Sequence, residues 1–209
     1  MTDEATGHRR GRRPKGATSG REALLRAANA CFLRAGYAAS LRDIAAEAGV
    51  DMALVARLFG SKEKLWEAVV EWHEAALARH LKAVDELESL PAGEALRRLF
   101  ALHAAQCVAY PFIALFMHEA VNPGPRLDNI VERLVVPLRL RYLPFLERAV
   151  EGGAARAADP ELALTMLLTG IGVPLVAPVL CGENLARRLV DETCVLLGLP
   201  PERDTPAPG

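Results

Sequence analysis

Aromatic residues make up only 5% of this 209-residue chain. No stretch alternates apolar and polar side chains for long enough to form a strand. Sheets rely on aromatic and β-branched residues, so this scarcity, beside abundant alanine and 51% apolar content, predicts an all-α protein. No uninterrupted apolar run reaches membrane-spanning length. The nearest, 162–180, contains Gly170, Gly172, Pro174 and Pro178. Cysteines are few. Cys31, Cys107, Cys181 and Cys194 form no CxxC pair, and each lies in or beside an apolar stretch, as buried free thiols in a reducing cytoplasm would. The polar, basic beginning does not read as a secretory leader. A glycine-rich phosphate loop, a nucleophile elbow and a metalloprotease motif are all missing. The sequence therefore predicts no enzyme, no cofactor and no membrane partner.

Charge is present in balanced amount but unevenly placed. The formal net charge is −1. Residues 1–64 hold 12 Lys or Arg against 7 Asp or Glu, and the rest of the chain holds 13 against 19. The basic end carries Arg9, Arg10, Arg12, Arg13 and Lys15 in a Gly- and Pro-containing arm, 1–19, with nothing to bury. Arg12, Arg13 and Lys15 suit an A·T-rich minor groove, whose narrow walls concentrate negative potential. The competing reading of the arm is a solubilising tail.

The segment after the arm is patterned as short helices. From Arg21, the positions Leu24, Ala28, Cys31, Phe32 and Ala35 recur at helical spacing, and Gly36 stops that helix. Ser40 N-caps a second short helix with Leu41, Ile44, Ala45 and Ala48 inward. Gly49 allows a tight turn, and Asp51 caps a third helix, Met52 to about Phe59. Two helices joined by a short turn containing glycine form a helix-turn-helix. Gly60-Ser61 then breaks and recaps, and 61–88 reads as one long amphipathic helix.

Phe32, Gly36, Tyr37, the run 41–45, Ala48-Gly49-Val50, and Phe59-Gly60-Ser61-Lys62-Glu63-Lys64-Leu65 together resemble the N-terminal domain of the TetR family of bacterial regulators. The resemblance covers about 50 residues tightly. It implies a ligand-responsive, DNA-binding transcriptional repressor that acts on a palindromic double-stranded operator as a homodimer. It places Ser40, Arg42, Met52, Ala53 and Arg57 toward DNA, and makes Lys62, with Lys64 beside it, a phosphate contact. The chain departs from the family in its third helix. Leu54 and Ala56 stand where a small polar residue and a tyrosine are usual, and Leu58 where a His or Tyr is frequent. Arg57 is left as the strong hydrogen-bonding side chain there, and apolar contact with thymine methyls gains weight. Those substitutions sustain an alternative: a helical small-molecule-binding protein with a degenerate DNA domain.

The remainder divides into helices of about 92–109, 112–121, 126–151 (with Pro137 and Pro144 as bends), 160–179 and 183–198, making about nine helices in all. The expected domains are 20–66 for DNA binding and 67–199 for ligand binding and dimerisation, followed by a disordered 200–209 tail. The fifth helix aligns Leu96, Leu99, Phe100, His103, Cys107 and Tyr110 on one stripe. Such a mixed face is expected in a small-molecule site, with Trp72, His73, Phe112, Phe116, Met117 and His118 completing its walls. Taken singly, each is equally ordinary core. His103 and Cys107 are spaced to share a metal, but no third ligand accompanies them, so no metal is expected. The eighth helix is apolar all round, which calls for neighbours on every side. Leu162, Met166, Leu167 and Ile171, with Leu185, Leu189 and Leu196 of the ninth, are the expected dimer face. The length of 61–88 suggests the switch: it joins Lys62 to Trp72 and His73, so an effector that moves it re-aims the DNA-reading ends.

Overall fold

In the computed structural model, which describes residues 20–176 and 184–199, capping chemistry sets the element boundaries. α1 (Gly20–Ala35) ends in a 3-10 turn, Gly36–Ala38. Ser40 Oγ accepts from the Asp43 amide at 3.1 Å and starts α2 (Leu41–Ala48). Gly49, at φ 64° in the left-handed region, closes it, as only glycine does without strain. Asp51 Oδ1 accepts from the Leu54 amide at 2.7 Å and starts α3 (Met52–Phe59). Such caps stabilise by about 1 kcal/mol each. Ser61 then caps α4 (Lys62–Asp85). Arg12, Arg13 and Lys15 of the basic arm, Cys181, and the 200–209 tail lie outside the described residues.

Five further helices follow: α5 (Ala92–Ala109), α6 (Phe112–Ala120), α7, α8 (Pro160–Val176) and α9 (Leu185–Leu196). Tyr110-Pro111 separates α5 from α6. α7 runs continuously through Pro125–Ile130, a π-helical turn Val131–Val135, and Val136–Glu151. The described residues thus form nine helices and no strand. The π turn answers Pro137. A proline ring clashes with the carbonyl four residues back, and a locally widened turn, in which the Val136 amide bonds the Val131 carbonyl, relieves that clash.

One apolar core runs through the molecule. In the head, Leu24, Phe32, Ile44, Val55 and Phe59 close over Leu65 and Trp66 of α4. The Phe32 ring meets Trp66 edge-on at 5.0 Å. In the body, α5 is central and packs against α4, α7, α8 and α9. Leu96, Leu99, Phe100, Leu134, Tyr142, Leu146 and Leu164 are fully buried there. Each such side chain contributes about 1.5–3 kcal/mol of apolar burial. α4 belongs to both halves: its first turns close the head and its later turns line the body. No single described helix is long and apolar enough to cross a membrane. α5 and α6 reach that length only together, and they meet at 75°.

Candidate nucleic-acid interface and cavity

α3 places Met52, Ala53, Ala56 and Arg57 outward, while Val55 and Phe59 are buried and Leu54 and Leu58 are half-buried. The departures at Leu54 and Leu58 therefore have a partly structural explanation, because both side chains turn toward the protein. Ala56 lies on the open face. Arg42, exposed on α2, and Arg57 make no ion pair with any described residue. Ser40 caps α2 and also donates to Asp43 Oδ2 at 2.6 Å, so its hydroxyl is committed locally. Lys64 is exposed. Lys62, the first residue of α4, lies with its ammonium 4.4 Å from the centroid of the Tyr37 ring. An ammonium held at a helix N-terminus, where free amides and the dipole already favour anions, is suited to a phosphate.

Tyr37 ties this end to the body. Its hydroxyl bonds the Glu63 carboxylate, and the Arg126 guanidinium of α7 lies 4.0 Å from its ring centroid. Burial and the bond to Glu63 push the Tyr37 hydroxyl up to about 12, and the same bond holds the Glu63 carboxyl below its usual range. Arg126 Nε donates to Glu119 at 2.8 Å. His118 Nε2 donates to the Leu33 carbonyl of α1 at 3.2 Å. Gly36, at φ 57°, sits so close that a Cβ there would fall 2.8 Å from His118 Cβ. The C-terminal end of α6 and the start of α7 are thus seated on the head.

Between α5, α6, α7 and α8 lies a cavity of about 440 Å³. His103, Cys107, Phe112 and Phe116 line it, as do Ile113 of α6, Val131, Val135 and Val136 of the π turn and its edge, Leu138, Arg139, and Thr165, Leu168, Thr169 and Gly172 of α8. Of the ligand residues read from the sequence, four therefore meet here. The other five lie elsewhere. Trp72, His73 and Tyr110 form an aromatic group of their own, Trp72 and Tyr110 meeting edge-on at 5.6 Å. His73 in that group donates to Asn29 Oδ1 at 2.7 Å. Met117 is exposed on the surface, and His118 serves the seam described above. The α7 and α8 lining was not visible in the sequence. Its signal is there in retrospect: Pro137 marks the widened turn, and π turns recur at functional sites.

Among the described residues that line the cavity, only Arg139 carries a charge. Burial holds His103 neutral, with its pKa lowered to about 4, and pushes the Cys107 thiol up to about 12. His103 Nε2 donates to the Leu168 carbonyl at 3.3 Å and lies 3.5 Å from Cys107 Sγ. No group of three metal-ligating side chains occurs among the described residues.

The expected dimer residues separate into two sets. Leu162, Met166 and Leu196 are 57%, 65% and 77% exposed, and Val195 joins them on α9. Leu167, Leu185 and Leu189 are half-buried in the protomer, and Ile171 is fully buried. α8 is apolar all round because its other face closes the cavity and the protomer core.

Residues 24–69 match the family model described as bacterial regulatory proteins, tetR family. No curated protein matches the chain by sequence. Among solved structures, the ketosteroid transcriptional regulator KstR2 of Mycobacterium tuberculosis is similar with a TM-score of 0.69 at 22% identity, over 87% of this chain and 95% of that one. PfmR, a TetR family transcriptional regulator from Thermus thermophilus, gives 0.67 at 24% identity, over 84% and 97%. HlyIIR, a hemolysin II transcriptional regulator, gives 0.65 at 20%, over 83% and 96%. At such identities these likenesses concern the fold, while the family match falls on the helix-turn-helix itself. Residues 24–69 thus form a helix-turn-helix domain of the tetR family of bacterial regulatory proteins.

Proposed function

We propose that this regulator is a repressor that binds a palindromic operator as a homodimer and is released when a small, largely apolar effector fills the cavity. The observation that carries the proposal is the double duty of α6 and α7. Phe112, Ile113 and Phe116 of α6 and Val131 and Val135 of α7 line the cavity, while His118 and Arg126 of the same helices press on Gly36 and Tyr37 of the head. An occupant that displaces the wall therefore displaces the seam beside Lys62. The two reading helices of a dimer must stand about one DNA turn apart, roughly 34–36 Å, so a small pivot spoils the fit. The exposed Leu162, Met166, Val195 and Leu196 of α8 and α9 are the apolar surface proposed to meet the same surface of a second copy.

The experiment is a gel shift on the DNA upstream of the chain's own gene, with and without metabolite extract. The expected result is a salt-sensitive, sequence-specific shift that the extract abolishes. Arg57→Ala should cost about 1–3 kcal/mol and relax base preference, with Arg42→Ala also weakening binding. Cys107→Trp, folded and dimeric, should bind DNA yet resist the extract. If neither arginine matters on any operator, the DNA assignment fails. If Cys107→Trp still responds fully, the effector acts elsewhere.

A further inference from the structure

α7 carries five arginines, and their partners differ. Arg126 pairs with Glu119, Arg133 with Glu74 and Arg141 with Asp85. Arg148 donates to the Glu88 carbonyl. Arg139, half-buried, meets no carboxylate among the described residues and lies in the cavity wall instead. Its Nη1 donates to Thr165 Oγ1 at 2.6 Å. That hydroxyl gives its own proton to the Glu161 carbonyl at 3.0 Å, so it acts as a fixed acceptor that orients the guanidinium. A guanidinium has five N–H donors in a planar fork, and Thr165 takes one of them. No acidic side chain lines the cavity among the described residues.

The chemistry of the occupant follows. The rest of the described wall is apolar side chains, two threonine hydroxyls bonded to backbone carbonyls, a neutral imidazole and a protonated thiol. A wholly apolar ligand would leave the guanidinium facing it with nothing gained in exchange. A cation would be repelled. A carboxylate would complete the fork with paired, charge-assisted hydrogen bonds, the arrangement in which arginine is strongest. The size is also bounded. At about 30 Å³ for each non-hydrogen atom, 440 Å³ holds on the order of fifteen of them.

We infer that the cavity takes a medium-chain monocarboxylic acid, with its carboxylate on Arg139 beside Thr165 and its alkyl tail against Phe112, Ile113, Phe116 and Val135. This rests on the proposal that the cavity is the effector site, and it adds the head group that the site reads.

The test is calorimetric titration of the full chain with three ten-carbon probes: decanoate, decanol and decylamine. Decanoate should bind at least tenfold more tightly than decanol, and decylamine more weakly than either. Arg139→Gln should weaken decanoate at least tenfold and leave decanol within twofold. Arg139→Lys, which keeps the charge without the fork, should recover part of the loss. Equal affinity for decanoate and decanol overturns the inference. So does a Gln variant, native by circular dichroism, that weakens both probes alike, and so does the failure of all three probes to bind. A gel shift run beside it separates the two levels. Decanoate that binds through Arg139 without releasing DNA upholds the head-group assignment and removes the effector role. Release by extract with no binding of any probe does the reverse.

Discussion

The contact of Gly36 with His118 sets a measurable load on the join between head and body. Gly36 holds φ 57°, and a methyl group at its Cα would stand 2.8 Å from His118 Cβ and 2.9 Å from Cγ. Gly36→Ala thus carries two penalties. The left-handed backbone costs an L-residue about 1–2 kcal/mol. Forcing a methyl into packed surroundings costs typically about 1–3 kcal/mol. Together the expected destabilisation is about 2–5 kcal/mol, a large share of the roughly 5–15 kcal/mol that holds a domain folded. Equilibrium urea unfolding of both proteins measures it. His118→Gly removes the obstructing Cβ, at its own cost of about 1 kcal/mol for glycine in a helix and about 1 for the lost bond to Leu33. The double variant should then be more stable than the sum of the singles by about 1–3 kcal/mol. A cost below about 1 kcal/mol for Gly36→Ala, or strict additivity of the pair, would refute the close seating of α6 on the head.

Acid should unfold the body early. Burial lowers the pKa of His73, His80 and His103 to about 4, whereas in an unfolded chain each titrates near 6.5. Between these values the unfolded state binds more protons, so the stabilisation is fully present above pH 6.5 and is lost as pH falls toward 4, by up to about 3 kcal/mol per histidine. Urea midpoints that stay level from pH 7 to 5 would contradict this burial. Lys62→Ala should weaken binding to all DNA sequences about equally and lower the salt slope by about one unit, as measured by fluorescence anisotropy across a salt series. A loss that depends on base sequence would mean that Lys62 does not act on the backbone.

The head was legible in the sequence because its signals are local. Ser40, Gly49, Asp51 and Ser61 act within three or four residues of themselves, so each boundary from α2 to α4 could be read from the order of residues alone. The helical class and the extent of α5 and α6 followed in the same way, from Pro111 and the spacing of apolar residues. The cavity was only half legible. His103, Cys107, Phe112 and Phe116 could be chosen from stripes on α5 and α6, but a stripe shows that a face is inward and not what lies opposite it. Trp72 and His73 share an inward face of α4 yet meet Tyr110 and Asn29, because helix rotation and crossing angle decide which inward residues converge. α8 shows the same limit: an all-round apolar helix needs partners on every side, and tertiary packing assigned Leu168 and Gly172 to the cavity, Ile171 to the core, and Leu162 and Met166 to the surface. The sequence by itself determined the helical class and the boundaries in the head, from α2 to the start of α4, since caps and glycines act over one turn. Only the tertiary structure decided which faces meet across a cavity, and which of five arginines on α7 was left to look into it without a carboxylate of its own.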